Sequence, residues 1–237
     1  MNYWEQKEKL GKYIGGIRQF FPLASEQLDV IAIIIYKFNS EIKTFLDLGC
    51  GGGFMGYYVF EMFPAAKGVF MDVSNEMIKK AEAKANSFQA EFFAGDLSQA
   101  DWIKPLPENA KFDLVISGYA IHHIENDEKK RLYRQIYNLL NPNGIFLNLE
   151  HVLSPTDDLE KLFRNLFDDR MVDYHRHIGD EKPKEEIIEK YHDPNHAALN
   201  KLELVEEQCK WLREIGFKQV DCYMKIFELA LFGGVKI

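Results

Sequence analysis

The stretch Thr44-Phe45-Leu46-Asp47-Leu48-Gly49-Cys50-Gly51-Gly52-Gly53-Phe54 constrains this chain more than any other. A short apolar run carrying one acid opens into four glycines within five positions, then meets an amphipathic segment. The run reads as a buried parallel strand, and Phe54 to Phe63 as a helix that Pro64 ends. Glycines at such a junction let the backbone turn sharply and approach a ligand closely, because no Cβ intervenes. The helix behind them presents free N–H groups at its start. This is the form of a nucleotide-cofactor turn.

The identity of the nucleotide turns on the acids. Gly51, Gly53 and Gly56 fit the spacing G-x-G-x-x-G, which several cofactors share. The next strand, Gly68 to Asp72, ends in an acid about 20 residues on, where a ribose-binding carboxylate belongs. NAD and S-adenosylmethionine both carry that ribose, so Asp72 does not separate them. Asp47 does: a carboxylate just before the glycines repels a pyrophosphate but suits a ligand bearing an ammonium and a sulfonium.

Asp47-Leu-Gly-Cys-Gly-Gly-Gly resembles motif I of the class I S-adenosylmethionine-dependent methyltransferases. Later landmarks follow in that family's order. Asp72 closes strand two, Gly95-Asp96-Leu97 closes strand three, and Phe112-Asp-Leu-Val-Ile-Ser-Gly-Tyr-Ala-Ile-His-His-Ile124 surrounds strand four. Leu140-Asn-Pro-Asn-Gly-Ile-Phe146 matches the turn into strand five. Trp211-Leu-Arg-Glu-Ile-Gly-Phe217 and Phe232-Gly-Gly resemble the closing helix and hairpin. The likeness runs from about Thr44 to Leu153 and resumes at Leu202. It implies an α/β fold: a doubly wound, Rossmann-like sheet of seven strands, mostly parallel, with an antiparallel C-terminal hairpin strand.

Along the chain this gives one domain in four parts. Residues 1–40 form a helical arm, 41–153 the cofactor-binding core, 154–200 a helical lid insertion, and 201–237 the closing helix and hairpin. Ser25 is placed to cap a helix with Leu28, Ile31, Ile35 and Phe38 on its buried stripe. Ser74 caps the helix after strand two. Strand five is expected over Ile145–Val152 and the last helix over Leu202–Ile215, with Gly216 at its C-cap. Trp102 is expected at the core edge, and Leu159, Leu162, Phe163, Leu166 and Phe167 on one apolar stripe.

Composition narrows the partners. The net charge of -8 disfavours a broad nucleic-acid footprint, which depends on clustered Lys and Arg. Cys50, Cys209 and Cys222 are too few and scattered for a disulfide framework, which fits a reducing cytoplasm. Met1 to Lys12 is polar, unlike a signal peptide. The most apolar run, Leu28 to Phe38, falls short of the ~20 residues of a membrane span. A homodimer is left open.

The resemblance also assigns roles. Gly49, Gly51 and Gly53 cradle the methionine and ribose, with Asp47 beside them. Asp72 holds the ribose hydroxyls, while Val73 and Met77 enclose the adenine. Asp96 accepts from the exocyclic amine, Leu97 offers an N–H and an apolar wall, and the Ser117 carbonyl receives the ammonium. Arg18, in the arm, reaches the carboxylate, with Tyr13 or Phe20 on the substrate side. The sulfonium is already activated, so positioning and water exclusion carry most of the work. A general base is needed only where the acceptor holds a proton, and the candidates are His122, His123, Glu150 and His151. His175, His177, His192 and His196 lack the paired spacing of a zinc site, and no metal is expected.

Ser117-Gly-Tyr-Ala stands where methylases of planar amide or adenine nitrogens carry Asn-Pro-Pro-Tyr/Phe. A small-molecule acceptor follows, with S-adenosylhomocysteine as the product. Three rivals share parts of the pattern: a non-catalytic or modified-S-adenosylmethionine-binding protein, a tRNA-modifying enzyme, and an NAD(P)-dependent oxidoreductase.

Overall fold

The computed structural model describes residues 23–191 and 199–237. In chain order the elements are α1 (Ala24–Phe38), β1 (Thr44–Leu48), α2 (Phe54–Met62), β2 (Lys67–Asp72), α3 (Asn75–Glu82) and β3 (Gln89–Ala94). After them come β4 (Phe112–Gly118), a 3-10 turn (Ile121–His123), α4 (Asn126–Leu139) and β5 (Leu140–His151). The chain closes with α5 (Asp157–His177), α6 (Lys184–Tyr191), α7 (Val205–Ile215), β6 (Lys218–Ile226) and β7 (Leu229–Val235).

The sheet has seven strands in the order β3-β2-β1-β4-β5-β7-β6. β1 pairs in parallel with both β2 and β4, so the strand order reverses there and a crevice opens at their carboxyl ends. β7 runs antiparallel to β5 and β6. Side-chain alternation splits the interior into two layers. Phe45, Ile116 and Leu147 face α1 and α2, whose Ile31, Ile35, Tyr58 and Val59 cover them. Leu46, Val115 and Phe146 face α4 and α7, meeting Leu132, Ile136, Cys209 and Leu212.

Several local expectations change. Ser25 is not the cap of α1: its hydroxyl bonds the neighbouring Glu26, and the N-cap is Leu23 in the left-handed region, without a side-chain cap. Ser74 does cap α3, accepting from Met77 N at 3.3 Å. β5 begins at Leu140 rather than Ile145, with a register irregularity opposite Phe112 and Leu114 that absorbs the Asn-Pro-Asn-Gly turn. α7 begins at Val205, leaving the residues just before it as a strap along the surface.

The expected stripe on α5 is only partly covered. Leu159 and Leu162 are 43% and 51% accessible, while Phe163, Met171, Val172 and His175 are the buried positions. The C-terminal half of α5 packs against Ile187 of α6 in a small separate cluster. Trp102 is buried in the second core layer, and its indole N–H donates to Gln135 at 2.8 Å. Among the described residues no helix is long and apolar enough to cross a membrane.

Candidate functional site

The glycine turn is built at the end of β1. Gly49 has φ +63°, and a Cβ there would stand 2.1 Å from Ala120 Cβ. Gly53, at φ +83°, is the N-cap of α2. Both positions need a left-handed backbone that side chains rarely adopt. The turn is pinned from behind by Cys50 N donating to Met71 O at 2.9 Å.

Asp72 closes the other side of the crevice. Its Oδ2 accepts from Gly51 N and its Oδ1 from Ser74 N, each at 2.8 Å. The acid and the glycines are therefore one hydrogen-bonded unit. The Met77 methyl lies against Gly51, at 3.4 Å from where a Cβ would be. Val73 is 68% exposed, an apolar side chain held at the crevice rim. Asp96 is exposed, accepts from Ser98 N, and has its carboxyl lowered by hydrogen bonding to Ser98.

Two of the expected contacts, those of Asp47 and the Leu97 side chain, are placed differently. Asp47 is fully buried, because strand alternation turns it to the α2 face, where Oδ2 accepts from Gly56 N at 2.8 Å. It anchors the first turn of α2 from beneath instead of lining the crevice. The Leu97 side chain is packed with Trp102 and Leu106 in the core, so it cannot supply the apolar wall. The Ser117 side chain is buried, with Oγ donating to Leu48 O at 2.8 Å. Arg18, Tyr13 and Phe20 lie outside the described residues.

Across the crevice the chain continues from Ala120 into the turn carrying His122 and His123. His122 Nδ1 lies 2.5 Å from Glu150 Oε1, and His122 N donates to Glu150 Oε2 at 3.0 Å. Glu150 is 1% exposed and also accepts from His151 N at 3.0 Å. Where Glu150 is the acceptor, the proton of this contact sits on Nδ1 and Nε2 is the ring nitrogen left to accept. The rings of His122 and His123 are 3.9 Å apart, and His122 and His151 are 5.9 Å apart. Burial, then the neighbouring His122, pushes His123 down. His151 Nε2 pairs with buried Glu228 at 3.1 Å, whose other oxygen accepts from Ser154 Oγ at 2.5 Å.

The four base candidates thus gather in one cluster, and their roles divide. Glu150 is held by donors on several sides, and His122 turns Nδ1 towards it. Glu228 and Ser154 carry no signal in sequence, since 77 residues separate Glu228 from His151. Among the described residues no three His, Cys, Asp or Glu side chains are grouped to hold a metal ion. His175 instead pairs with Asp180 at 2.8 Å, while His192 and His196 lie outside the described residues.

Comparison with known proteins agrees with this geometry. Residues 45–144 match the family model described as a methyltransferase domain. A carboxy-S-adenosyl-L-methionine synthase from Nautilia profundicola is 23% identical over 216 residues, covering 89% of this chain and 85% of that protein. Among solved structures, an S-adenosylmethionine-dependent methyltransferase from Clostridium acetobutylicum shares the fold. It has TM-score 0.58 and 16% identity, over 89% of this chain and 90% of that one. PigF, solved with SAH, matches at TM-score 0.55 and 16% identity, over 99% of this chain and 66% of its own. Residues 45–144 thus carry a methyltransferase domain, and the sheet around them has the Rossmann-like fold of S-adenosylmethionine-dependent methyltransferases.

Proposed function

We propose that this methyltransferase acts on a small-molecule acceptor that bears a transferable proton, and that His122 takes that proton. The observation carrying the reading is the 2.5 Å contact between His122 Nδ1 and buried Glu150, in a turn whose Ala120 abuts the glycine turn. When bound, S-adenosylmethionine supplies a methyl group already activated on a sulfonium centre.

The chain has a cradle that fits it. Gly49, Gly51 and Gly53 bring bare backbone to the crevice, and Asp72 takes the ribose hydroxyls with lone pairs its two backbone donors leave over. Val73 and Met77 enclose the adenine, and Asp96 accepts from its amine. The Ser117 carbonyl and the Leu97 N–H complete the set. Asp47 contributes negative potential from below, without contact.

On the acceptor side, Glu150 fixes the His122 tautomer and stabilises the imidazolium formed when Nε2 takes the proton. His123 and His151 wall the same space, with Phe163 of α5 beside His151 at 6.4 Å between ring centroids. Positioning and water exclusion supply the remaining rate. The acidic balance of the chain argues for a small acceptor over a nucleic acid.

A modified S-adenosylmethionine is the second reading, favoured by the synthase match along most of both chains. Calorimetric titration with S-adenosylhomocysteine and with NADH, on wild type and Asp72→Ala, tests the cofactor. Saturable binding of the first alone, lost in the variant, is expected; binding of NADH alone would overturn it. Mass spectrometry of the ligand co-purifying with the protein separates plain from carboxylated cofactor. With an acceptor found by screening, His122→Gln is expected to lower kcat by about 10²-fold while cofactor affinity holds. An unchanged kcat removes the base.

A further inference from the structure

Lys129, on α4, is a charged side chain buried to 1% exposure, in a fold where lysine heads almost always reach water. Its ammonium donates to Asn126 Oδ1 at 3.0 Å and to the carbonyl of Lys201. The same Lys201 donates its own N–H to the His122 carbonyl at 2.7 Å. Two residues later, Glu203 accepts from Asn126 Nδ2 at 2.7 Å, and its carbonyl accepts from Leu153 N at 3.1 Å. The strap around Lys201 and Glu203 is thus fastened to His122, to α4 and to the end of β5, and the buried ammonium is one of its central fixings.

We propose that Lys129 is a positioning residue for methyl transfer: it locks this strap onto the His122–His123 turn. The inference rests on His122 being the base. His122 is held at its N–H and Nδ1 by Glu150 and at its carbonyl by Lys201. Glu150 of β5, Glu203 of the strap and Glu125 at the start of α4 all act on the ammonium, offsetting part of the cost of its burial. Tyr133, one turn along α4, also feels Glu150 and is closed off by its bond to Gln208 at 2.6 Å. Without the ammonium, the Lys201 donor to the His122 carbonyl shifts, and an imidazole released from Glu150 no longer requires the hydrogen on Nδ1. The strap loses its fixing at the same time. A residue serving only stability would leave the imidazole tautomer alone.

The test is long-range ¹H–¹⁵N imidazole spectroscopy and amide exchange on the full chain. Wild type should show His122 as one tautomer, protonated at Nδ1, with a slowly exchanging Lys201 amide. Lys129→Met should mix the tautomers and speed Lys201 exchange by at least about tenfold. If Lys129→Met does not fold, Lys201→Pro, which removes the strap's donor to the His122 carbonyl, is read for the tautomer in the same way. An unchanged tautomer in a folded variant overturns the proposal, as does a mixed tautomer or an unprotected Lys201 amide in wild type. Titration of the same variants with S-adenosylhomocysteine should give unchanged affinity. Failure of cofactor binding in wild type would instead strike the cofactor reading and leave the tautomer result standing.

Discussion

Gly49 and Ala120 are in direct apposition: a Cβ on Gly49 would come within 2.1 Å of Ala120 Cβ. This contact joins the cofactor turn at the end of β1 to the histidine turn that follows β4. Gly49→Ala combines that overlap with a left-handed backbone at φ +63°. The variant is expected to lose about 1–3 kcal/mol of stability and to bind S-adenosylhomocysteine at least about tenfold more weakly. Thermal melts and calorimetry measure the two effects. Full affinity would show that the two turns do not share a site.

Val73 tests the adenine wall from the opposite direction. Its side chain is mostly solvated, so Val73→Ser should change stability by no more than about 0.5 kcal/mol. Covering the valine with adenine removes apolar area from water, so its loss should weaken S-adenosylhomocysteine by roughly tenfold. Equal affinity in wild type and variant would place the adenine elsewhere.

Trp102 provides the contrasting case. It is buried in the core layer beneath α4 and bonded to Gln135. Trp102→Phe should lower stability by about 1–2 kcal/mol, measured by urea denaturation, and leave S-adenosylhomocysteine affinity intact. A selective loss of affinity would reassign the indole to the ligand.

His123 sets a pH dependence. Its folded value lies below the ordinary 6.5, because burial and His122 disfavour the charged ring. The unfolded chain therefore binds this proton first as pH falls. The histidine's contribution is fully present above about pH 6.5 and is lost as pH drops through the depressed folded value. Between pH 8 and pH 5, His123→Gln should lose less of its urea midpoint than wild type. Parallel losses would show the ring to be uncoupled from folding.

The sequence carried the cofactor half of the site well and the acceptor half only as parts. Gly49, Gly51, Gly53 and Asp72 sit at the ends of β1 and β2 as strand-turn-helix geometry demands, whereas the bond from Gly51 N–H to Asp72 is visible only in the fold. Asp47 was legible as an acid near the turn but not as a buried one, since its orientation depends on which sheet face α2 covers. The pairing of His122 with Glu150 spans 28 residues and exists only through the adjacency of β4 and β5. Lys129 lies on a helix whose sequence reads as polar there, and nothing local signals that α4 turns it inward. The α1 cap was missed because a left-handed Leu23 replaced the side-chain cap that Ser25 offered.

β7 is the last of the seven strands in chain order, yet it lies inside the sheet, between β5 and β6. During synthesis β6 emerges before the strand it pairs with, and the outer edge of β5 waits for residues 229–235. Glu228, which holds His151, arrives only just ahead of them. The glycine turn and Asp72 can close as soon as β1 to β4 have left the ribosome. The flank of His151 and Glu228 cannot, so a nascent chain holds the glycine turn and Asp72 opposite an unfinished histidine cluster, beside an unpaired strand edge.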